Sequence, residues 1–159
     1  MAIWELERRW NITRYLVYYL VENLVPPELI PGKDIVDFSA GLGDLSLYMA
    51  GQQPKSIMAT APDDSPAPAQ LSANPHITYL PNLPAIDIAE RFAAESVDLF
   101  VARMVFQFPT DEEHRIDVDG MLEQIHRVLR PGGRLIVASH QYTELDPEIK
   151  SNWPEPLDS

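Results

Sequence analysis

The chain has 159 residues, 45% hydrophobic and 23% charged, which predicts a soluble globular domain, alone or as one domain of a longer chain. Its formal net charge of −12 disfavours a nucleic-acid partner, because binding to a phosphate backbone needs a basic surface. It contains no cysteine, which excludes disulfides and thiolate metal sites. No stretch is long and apolar enough to predict a signal peptide or a membrane span, so we expect a cytoplasmic protein without a membrane partner.

Residues 4–24 carry apolar side chains spaced mostly three or four residues apart, which is the spacing of one helix face. Asn11 or Thr13 can cap a helix that begins near Thr13, and Pro26-Pro27 ends it. The Trp and Tyr residues of this segment allow two interpretations: an amphipathic helix packed on the domain, or a lid over a substrate. Packing is the commoner use of such residues.

The next feature is a short apolar run that leads through glycines into a helical pattern. Ile35, Val36 and Phe38 predict a strand buried on both faces. Gly41 and Gly43 follow in a tight turn, where they allow the backbone to approach a ligand. Because the start of a helix presents unpaired N–H groups, the sequence predicts a polar ligand at this turn.

The remaining elements alternate between strands and helices. The loop after the second strand, residues 62–71, is acidic and rich in proline, so we expect it to be mobile. Pro131-Gly132-Gly133 is expected to stop the last helix. The predicted elements are helix 45–52, strand 56–60, strand 77–80, helix fragment 87–94, strand 96–102, helix 111–129 and strand 134–139.

Five short apolar strands that alternate with helices predict an α/β fold with a parallel sheet covered on both faces. Ligands of such sheets bind beyond the carboxyl ends of the strands, at the switch point beside the first strand. Four segments are therefore expected to converge on one site: residues 37–44, 60–64, 81–84 and 102–109.

The turn after the first strand discriminates between classes of ligand. Its sequence, GLGDLS, lacks the third glycine of the dinucleotide fingerprint, and Asp37 and Asp44 are unfavourable beside a pyrophosphate. A P-loop is excluded because the Gly-Lys-Ser/Thr sequence is missing. Carboxylates and backbone groups suit instead a ligand with an ammonium group and ribose hydroxyls.

Three segments resemble motifs of one family, the class I S-adenosylmethionine-dependent methyltransferases. Residues 36–43, VDFSAGLG, resemble its first motif, with Ser39 where the first glycine usually lies. Residues 97–103, VDLFVAR, resemble the fourth-strand motif, and residues 126–137, HRVLRPGGRLIV, resemble the signature of a helix, a turn and the fifth strand. The resemblance implies S-adenosylmethionine as cofactor, a Rossmann-like sheet with strand order 3-2-1-4-5, and methyl transfer to a small-molecule acceptor.

The resemblance also implies a division of the chain and roles for single residues. The N-terminal helical segment would comprise residues 1–30, the S-adenosylmethionine-binding Rossmann-like domain residues 31–140, and a polar, proline-containing tail residues 141–159. Asn82 matches a position near the adenine amine, and Ala102, Arg103 and Met104 would line the floor between cofactor and acceptor. The residues expected at the methionine and ribose parts of the cofactor are Asp37, Ser39, Gly41 and Gly43.

Structural alternatives exist for two of these residues: Asp37 could cap the turn, and Arg103 could pair with a surface acid. The carboxylate that usually holds the ribose hydroxyls in this family would fall at Thr60 or Ala61, neither of which is acidic. Asp63 or Asp64 would then have to substitute from the loop.

A second departure from the family pattern concerns the edge of the sheet. The 20 residues after Ser139 are too few for the helix and the two antiparallel strands that complete the family's sheet, so we expect those last two strands to be missing. The fifth strand would then be an exposed edge. Because proteins normally cover such edges, we expect a second copy, a partner chain or a further segment there.

Methyl transfer from a sulfonium is an in-line displacement, so much of its rate can come from placing the acceptor beside the methyl group. A base is needed only for acceptors that lose a proton. His140, just after the fifth strand, is the histidine best placed for this, although a surface histidine is the commoner case. No H-E-x-x-H or H-x-x-E-H spacing occurs, so no metal site is expected.

Three functions stay open at this point. The first is methyl transfer to an unidentified small molecule. The second is a degenerate, non-catalytic methyltransferase-like domain with a structural or regulatory role in a complex. The third is a different nucleotide-binding domain on the same sheet. Cofactor binding separates the first two, and Asp37→Ala should abolish it under the first.

Overall fold

The computed structural model describes residues 25–103 and 118–138. These residues form one five-stranded parallel sheet in the order β3-β2-β1-β4-β5, which confirms the predicted α/β class and strand order. Residues 1–24, the tail, Met104 and His140 lie outside the described residues. The strands are β1 (Asp34–Phe38), β2 (Ser56–Thr60), β3 (Ile77–Leu80), β4 (Val97–Arg103) and β5 (Leu129–Ala138).

The helices between these strands are short. Strands 56–60 and 77–80 match the prediction residue for residue, whereas the predicted helix 45–52 spans Asp44–Ala50. The helices are α1 (Asp44–Ala50), α2 (Ala69–Ser72), α3 (Ile88–Arg91) and α4 (Val118–Val128), with 3₁₀ helices at Pro27–Leu29 and Ala85–Asp87.

β1 is buried on both faces, as its apolar run predicts. Ile35 belongs to the core cluster that includes residues of α1 and α2, and Val36 to the cluster that includes residues of α3 and α4. In the second cluster the rings of Phe38 and Phe100 pack with their centroids 5.6 Å apart. Full burial of such a side chain stabilises the fold by about 1.5–3 kcal/mol. The sheet therefore has helices on both faces, with β1 at its centre.

The junction of α4 and β5 differs from the prediction. The helix ends at Val128 and β5 begins at Leu129, so Pro131-Gly132-Gly133 does not stop the helix but lies within the strand. The last carbonyl groups of the helix accept hydrogen bonds from outside it: the N–H groups of Glu95 and Ser96 donate to Arg127 O and Val128 O at 3.1 and 2.9 Å. The chain then pairs with β4 at once.

The Pro-Gly-Gly sequence forms an irregularity in the pairing of β5 with β4. Val97 lies opposite Leu129, but Leu99 lies opposite Arg134, so the extra residues of β5 bulge out between them. A Cβ on Gly133 would lie 2.8 Å from the carbonyl oxygen of Arg130, too close for any other residue. Pro131-Gly132-Gly133, which predicts the end of a helix, therefore forms a bulge within β5.

A charged cluster joins three strands at the amino edge of the sheet. Arg130 donates to Asp98 Oδ2 at 2.7 Å and to Asp34 Oδ2 at 3.0 Å, and Lys55 Nζ lies 2.7 Å from Asp34 Oδ2. Partial burial acts to raise the pKa of Asp34, but hydrogen bonds from Lys55, Ser56 and Arg130 outweigh it and lower the pKa to about 2. The cluster ties the first residues of β1 and β4 to β5.

β5 lies at the edge of the described sheet and leaves apolar surface exposed. Val137 of β5 is 42% exposed, and Leu122 of the neighbouring helix α4 is 38% exposed. An open apolar groove of about 620 Å³ lies between α4 and β5, lined by Leu122, Ile125, Leu129 and Leu135 together with Glu123 and His126. A partner chain or second copy at this edge stays a prediction. Within the described ranges, no helix is long and apolar enough to cross a membrane.

We predict that Asp34→Asn lowers the free energy of unfolding by on the order of 1–2 kcal/mol at pH 7, since Asp34 loses its charge beside Arg130 and Lys55. A group with a depressed pKa contributes stability above its unfolded pKa of about 4, and this contribution is lost as the pH falls through the folded pKa. The variant should therefore approach the wild type near pH 2. Urea unfolding at both pH values measures this, with the exposed Asp119→Asn as control. Equal stability of the two variants at pH 7 would contradict it.

Candidate functional site

The turn between β1 and α1 has an unusual backbone. Ser39, Gly41 and Gly43 all have positive φ angles, of 58°, 57° and 81°. The N–H of Gly43 donates to Ala40 O at 2.9 Å, which closes the turn just before α1 begins. Positive φ is unfavourable for a residue with a side chain, so Ser39 needs support from its surroundings.

The two glycines of this turn serve different purposes. A Cβ on Gly41 would meet nothing within 4 Å, so this glycine borders open space at the carboxyl edge of the sheet. A Cβ on Gly43 would lie 2.3 Å from Leu71 Cδ2, so Gly43 makes room for the side chain of α2. Of the two, only Gly41 has room for a ligand beside its Cα.

Asp37, the last residue but one of β1, is 1% exposed. The Ser46 hydroxyl, in the first turn of α1, donates to Asp37 Oδ2 at 2.6 Å. Burial raises the pKa of Asp37, and the hydrogen bonds from Ser46 and the positive charge of Arg103 only partly oppose this effect. Asp37 therefore anchors α1 through Ser46, and its negative charge is costly in the absence of a positive partner.

Thr60, the last residue of β2, supports the turn from the neighbouring strand. It is fully buried. Its Oγ1 accepts a hydrogen bond from the Ser39 N–H at 3.1 Å, and its carbonyl oxygen accepts one from the Ala40 N–H at 2.8 Å. Of the two positions at which the family's carboxylate would fall, Thr60 and Ala61, the first thus holds a hydroxyl that faces the turn.

The acidic loop after β2 is tied to the end of β3. Asn82, with a φ of 53°, donates its N–H to Asp63 O at 2.7 Å, and Leu83 donates to Ala61 O at 2.9 Å. The Tyr79 hydroxyl donates to Ser65 O at 3.1 Å. Asp63 and Asn82, predicted for the same ligand from separate segments, are therefore adjacent. The expectation of a mobile loop did not anticipate these attachments.

The side chain of Asp63 is fixed locally. Its Oδ1 accepts the Ser65 N–H at 3.1 Å, and hydrogen bonds from Ser65 hold the pKa of Asp63 below its usual value. Both Asp63 and Asp64 are exposed. Asp63 is thus a negatively charged group on the surface beside Asn82.

The loop also contacts the glycine turn. Gln70 Nε2 donates to Leu42 O at 2.9 Å, beside the contact of Leu71 with Gly43. On the other side of β1, Ala102 is buried opposite Phe38, and Arg103 ends β4 in a partly buried position. Arg103 makes no ion pair with another described residue. The carboxyl ends of the four strands thus bring together the predicted residues that the structure describes.

The hydrogen bonds of three residues at this site were not predicted from the sequence: those of Ser46, Thr60 and Gln70. Each acts through a hydrogen bond to a residue 9 to 28 positions away. Only Ser46 left a local signal, because it follows Asp37 at the start of the helical pattern. Among the described residues no group of three His, Asp or Glu side chains could hold a metal ion.

Comparison with known proteins gives the family of the chain. Residues 36–137 match the model of the methyltransferase domain family. The chain is 30% identical over 105 residues to a ubiquinone/menaquinone biosynthesis C-methyltransferase of Rubrivivax gelatinosus, an alignment that covers 66% of this chain and 38% of that enzyme. The chain therefore matches well under half of the length of this relative.

Solved structures share the fold. A phosphoethanolamine N-methyltransferase of Haemonchus contortus, crystallised with phosphomonomethylethanolamine and S-adenosylhomocysteine, superposes with a TM-score of 0.60 at 18% identity, over 86% of this chain and 31% of that one. An S-adenosylmethionine-dependent methyltransferase of Mesorhizobium loti gives a TM-score of 0.57 at 17% identity, over 69% and 47%. The sheet order, the turn after β1 and the family match together show that the chain belongs to the class I methyltransferase family.

Proposed function

We propose that the chain binds S-adenosylmethionine at the carboxyl edge of the sheet and transfers its methyl group to a small-molecule acceptor. The observation that carries the proposal is the turn after β1, where Gly41 borders open space and follows the strand that contains the buried carboxylate of Asp37. Family membership supports the same cofactor.

The residues at this edge fit the chemistry of the proposed cofactor. Its sulfonium and ammonium groups are positive, and the ionised form of Asp37 is held in a buried position without full compensation. Asp63 and Asn82, which the hydrogen bond between their main chains holds together, offer a carboxylate and an amide for the ribose and adenine. In this arrangement the positive groups of the cofactor would lie at the end of β1, and its nucleoside would lie at the ends of β2 and β3.

When bound, S-adenosylmethionine supplies a methyl group already activated on a sulfonium. The part of the chain is therefore to hold the reactants in line and exclude water. Ala102 and Arg103, at the end of β4, would form the floor beside the acceptor, with Ala102 small and buried and Arg103 polar. His140 stays a predicted base for acceptors that must lose a proton.

The acceptor is proposed only by class. The named relatives are a quinone-biosynthesis enzyme and an enzyme crystallised with an amino-alcohol phosphate, and both names indicate small molecules. The net charge of −12 disfavours DNA or RNA as acceptor. The alternative, a non-catalytic domain, is less favoured because the turn and its acidic residue are retained; it predicts a chain that binds nothing at this turn.

We predict that Gly41→Ala weakens binding of S-adenosylhomocysteine at least about tenfold, because its methyl group enters the proposed ligand space. Gly32→Ala is a matched control. Gly32 also has a positive φ, of 71°, and a Cβ there also meets nothing within 4 Å, but it precedes β1 at the opposite edge. Both variants should lose similar stability, and only Gly41→Ala should lose affinity in calorimetric titration. Equal affinities of the two variants would argue against a ligand at this turn.

We predict that Asp37→Asn weakens S-adenosylmethionine binding about tenfold, because the amide gives no negative charge beneath the cation. A group with a raised pKa stabilises the fold below its unfolded pKa, and this stability is lost as the pH rises through the folded pKa. The variant should therefore gain stability relative to the wild type as the pH rises. Unfolding from about pH 3, below the unfolded pKa, up to about pH 8 tests the effect on stability, and titration at pH 7 tests the effect on binding, with the exposed Asp119→Asn of α4 as control. An affinity equal to that of the control would exclude the charge effect.

We predict that Asp63→Asn lowers affinity about tenfold or more by removing a charged acceptor for the ribose hydroxyls, whereas the neighbouring Asp64→Asn has a smaller effect. The control ligand is the 2′-deoxy analogue of S-adenosylhomocysteine. If Asp63 binds the ribose, preference for the natural ligand over this analogue should disappear in Asp63→Asn. Preference retained in Asp63→Asn and lost in Asp64→Asn would assign the ribose contact to Asp64.

A further inference from the structure

Ser39 occupies a backbone conformation that favours glycine. Its φ is 58°, in the left-handed region, and it lies between the buried Phe38 and Ala40. Glycine reaches this region without a steric cost, whereas a residue with a Cβ does not. Other interactions must therefore hold Ser39 in this conformation.

Thr60 provides two such interactions. Its Oγ1 accepts the Ser39 N–H at 3.1 Å, and its carbonyl oxygen accepts the Ala40 N–H at 2.8 Å. The two donors are consecutive, so Thr60 fixes the direction in which the chain leaves β1. The carbonyl bond is available to any residue at this position, but the bond to Ser39 requires a side chain with an acceptor.

The burial of Thr60 argues against a direct role in ligand binding. Its relative exposure is 0%, so its hydroxyl faces the turn and not the open edge. From this geometry we infer that Thr60 is a positioning residue: its hydroxyl holds Ser39 in the left-handed conformation and so fixes the turn that presents Gly41 to the cofactor. The effect on affinity rests on the proposed function; the hydrogen bond does not.

Ser39 stands in the turn at the position where the family usually has a glycine. Thr60 ends the neighbouring strand β2. The left-handed conformation is unfavourable for a serine, and the hydroxyl of Thr60 stabilises it through the hydrogen bond to Ser39. The effects of Ser39 and Thr60 should therefore depend on each other, although the two residues lie 21 positions apart.

Four variants test this dependence. Thr60→Val keeps the branched shape but lacks the acceptor, Thr60→Ser keeps the hydroxyl, and Ser39→Gly removes the need for support. The fourth variant combines Ser39→Gly with Thr60→Val. Binding of S-adenosylhomocysteine is measured by calorimetric titration at a temperature where unfolding experiments show every variant to be folded.

We expect Thr60→Val to weaken binding about tenfold and Thr60→Ser to bind like the wild type. In the Ser39→Gly background, Thr60→Val should have little further effect, because glycine adopts the turn conformation unaided. Equal loss in both backgrounds would overturn the inference, since Thr60 would then act independently of Ser39. Unchanged affinity of Thr60→Val in the Ser39 background would overturn it as well.

A second measurement does not need the cofactor. Amide hydrogen exchange followed by NMR should show faster exchange of the Ser39 N–H in Thr60→Val, with Ile35 and Val36 of β1 unchanged. If the wild type binds no S-adenosylhomocysteine, the proposed function fails, and this exchange measurement still decides the inference. Unchanged exchange at Ser39 would contradict it.

Discussion

The position of β1 in the middle of the sheet determines the position of the other parts of the site. Its residues pair with β2 on one side and β4 on the other, so Asp37 lies opposite Ala59 and opposite Val101. Both faces of the strand are buried, which holds it in one register, because a slip by one residue would exchange the two cores. The turn at its end is consequently fixed relative to the ends of its neighbours.

The two edges of the sheet have opposite electrostatic character. At the amino edge Asp34 and Asp98 are paired with Arg130, and their charges are satisfied within the fold. At the carboxyl edge Asp37 is buried with a raised pKa, and Asp63 is exposed beside Asn82. The carboxylates at the amino edge are thus paired with Arg130, whereas at the carboxyl edge the burial of Asp37 is only partly offset by Ser46 and Arg103, which suits a cationic ligand there.

Hydrophobic patterning predicted most of the fold. β2 and β3 were predicted residue for residue because each is a short apolar run bounded by breakers, and the strand order followed from the family resemblance. The bulge in β5 could not be predicted, because Pro131-Gly132-Gly133 is as compatible with a helix stop, and the choice is made by pairing with β4. Pairing between β4 and β5 involves residues far apart in the chain, so the sequence around residue 131 does not predict it.

The conformation of the turn and the burial of the strand before it were predictable from local sequence, as at Gly41 and Asp37. The site was not predictable where the function of a residue is defined by a distant partner. Thr60 in the sequence is only a polar residue at the end of a strand, and the N–H that its hydroxyl accepts belongs to Ser39, in the turn after another strand. Gly43 shows the converse, since a motif glycine proved necessary for packing against Leu71.

That packing limits how freely the connection between β2 and β3 can be exchanged among members of the family. Leu71 fills the space left by the missing side chain of Gly43, and Gln70 holds the carbonyl of Leu42. A loop transplanted from a relative would therefore replace the side chains that contact the glycine turn and could change the conformation of the turn. In a chimaera, the glycine turn and the loop between β2 and β3 should therefore be exchanged together. A changed substrate preference after exchange of the loop alone could result from a shift of the turn.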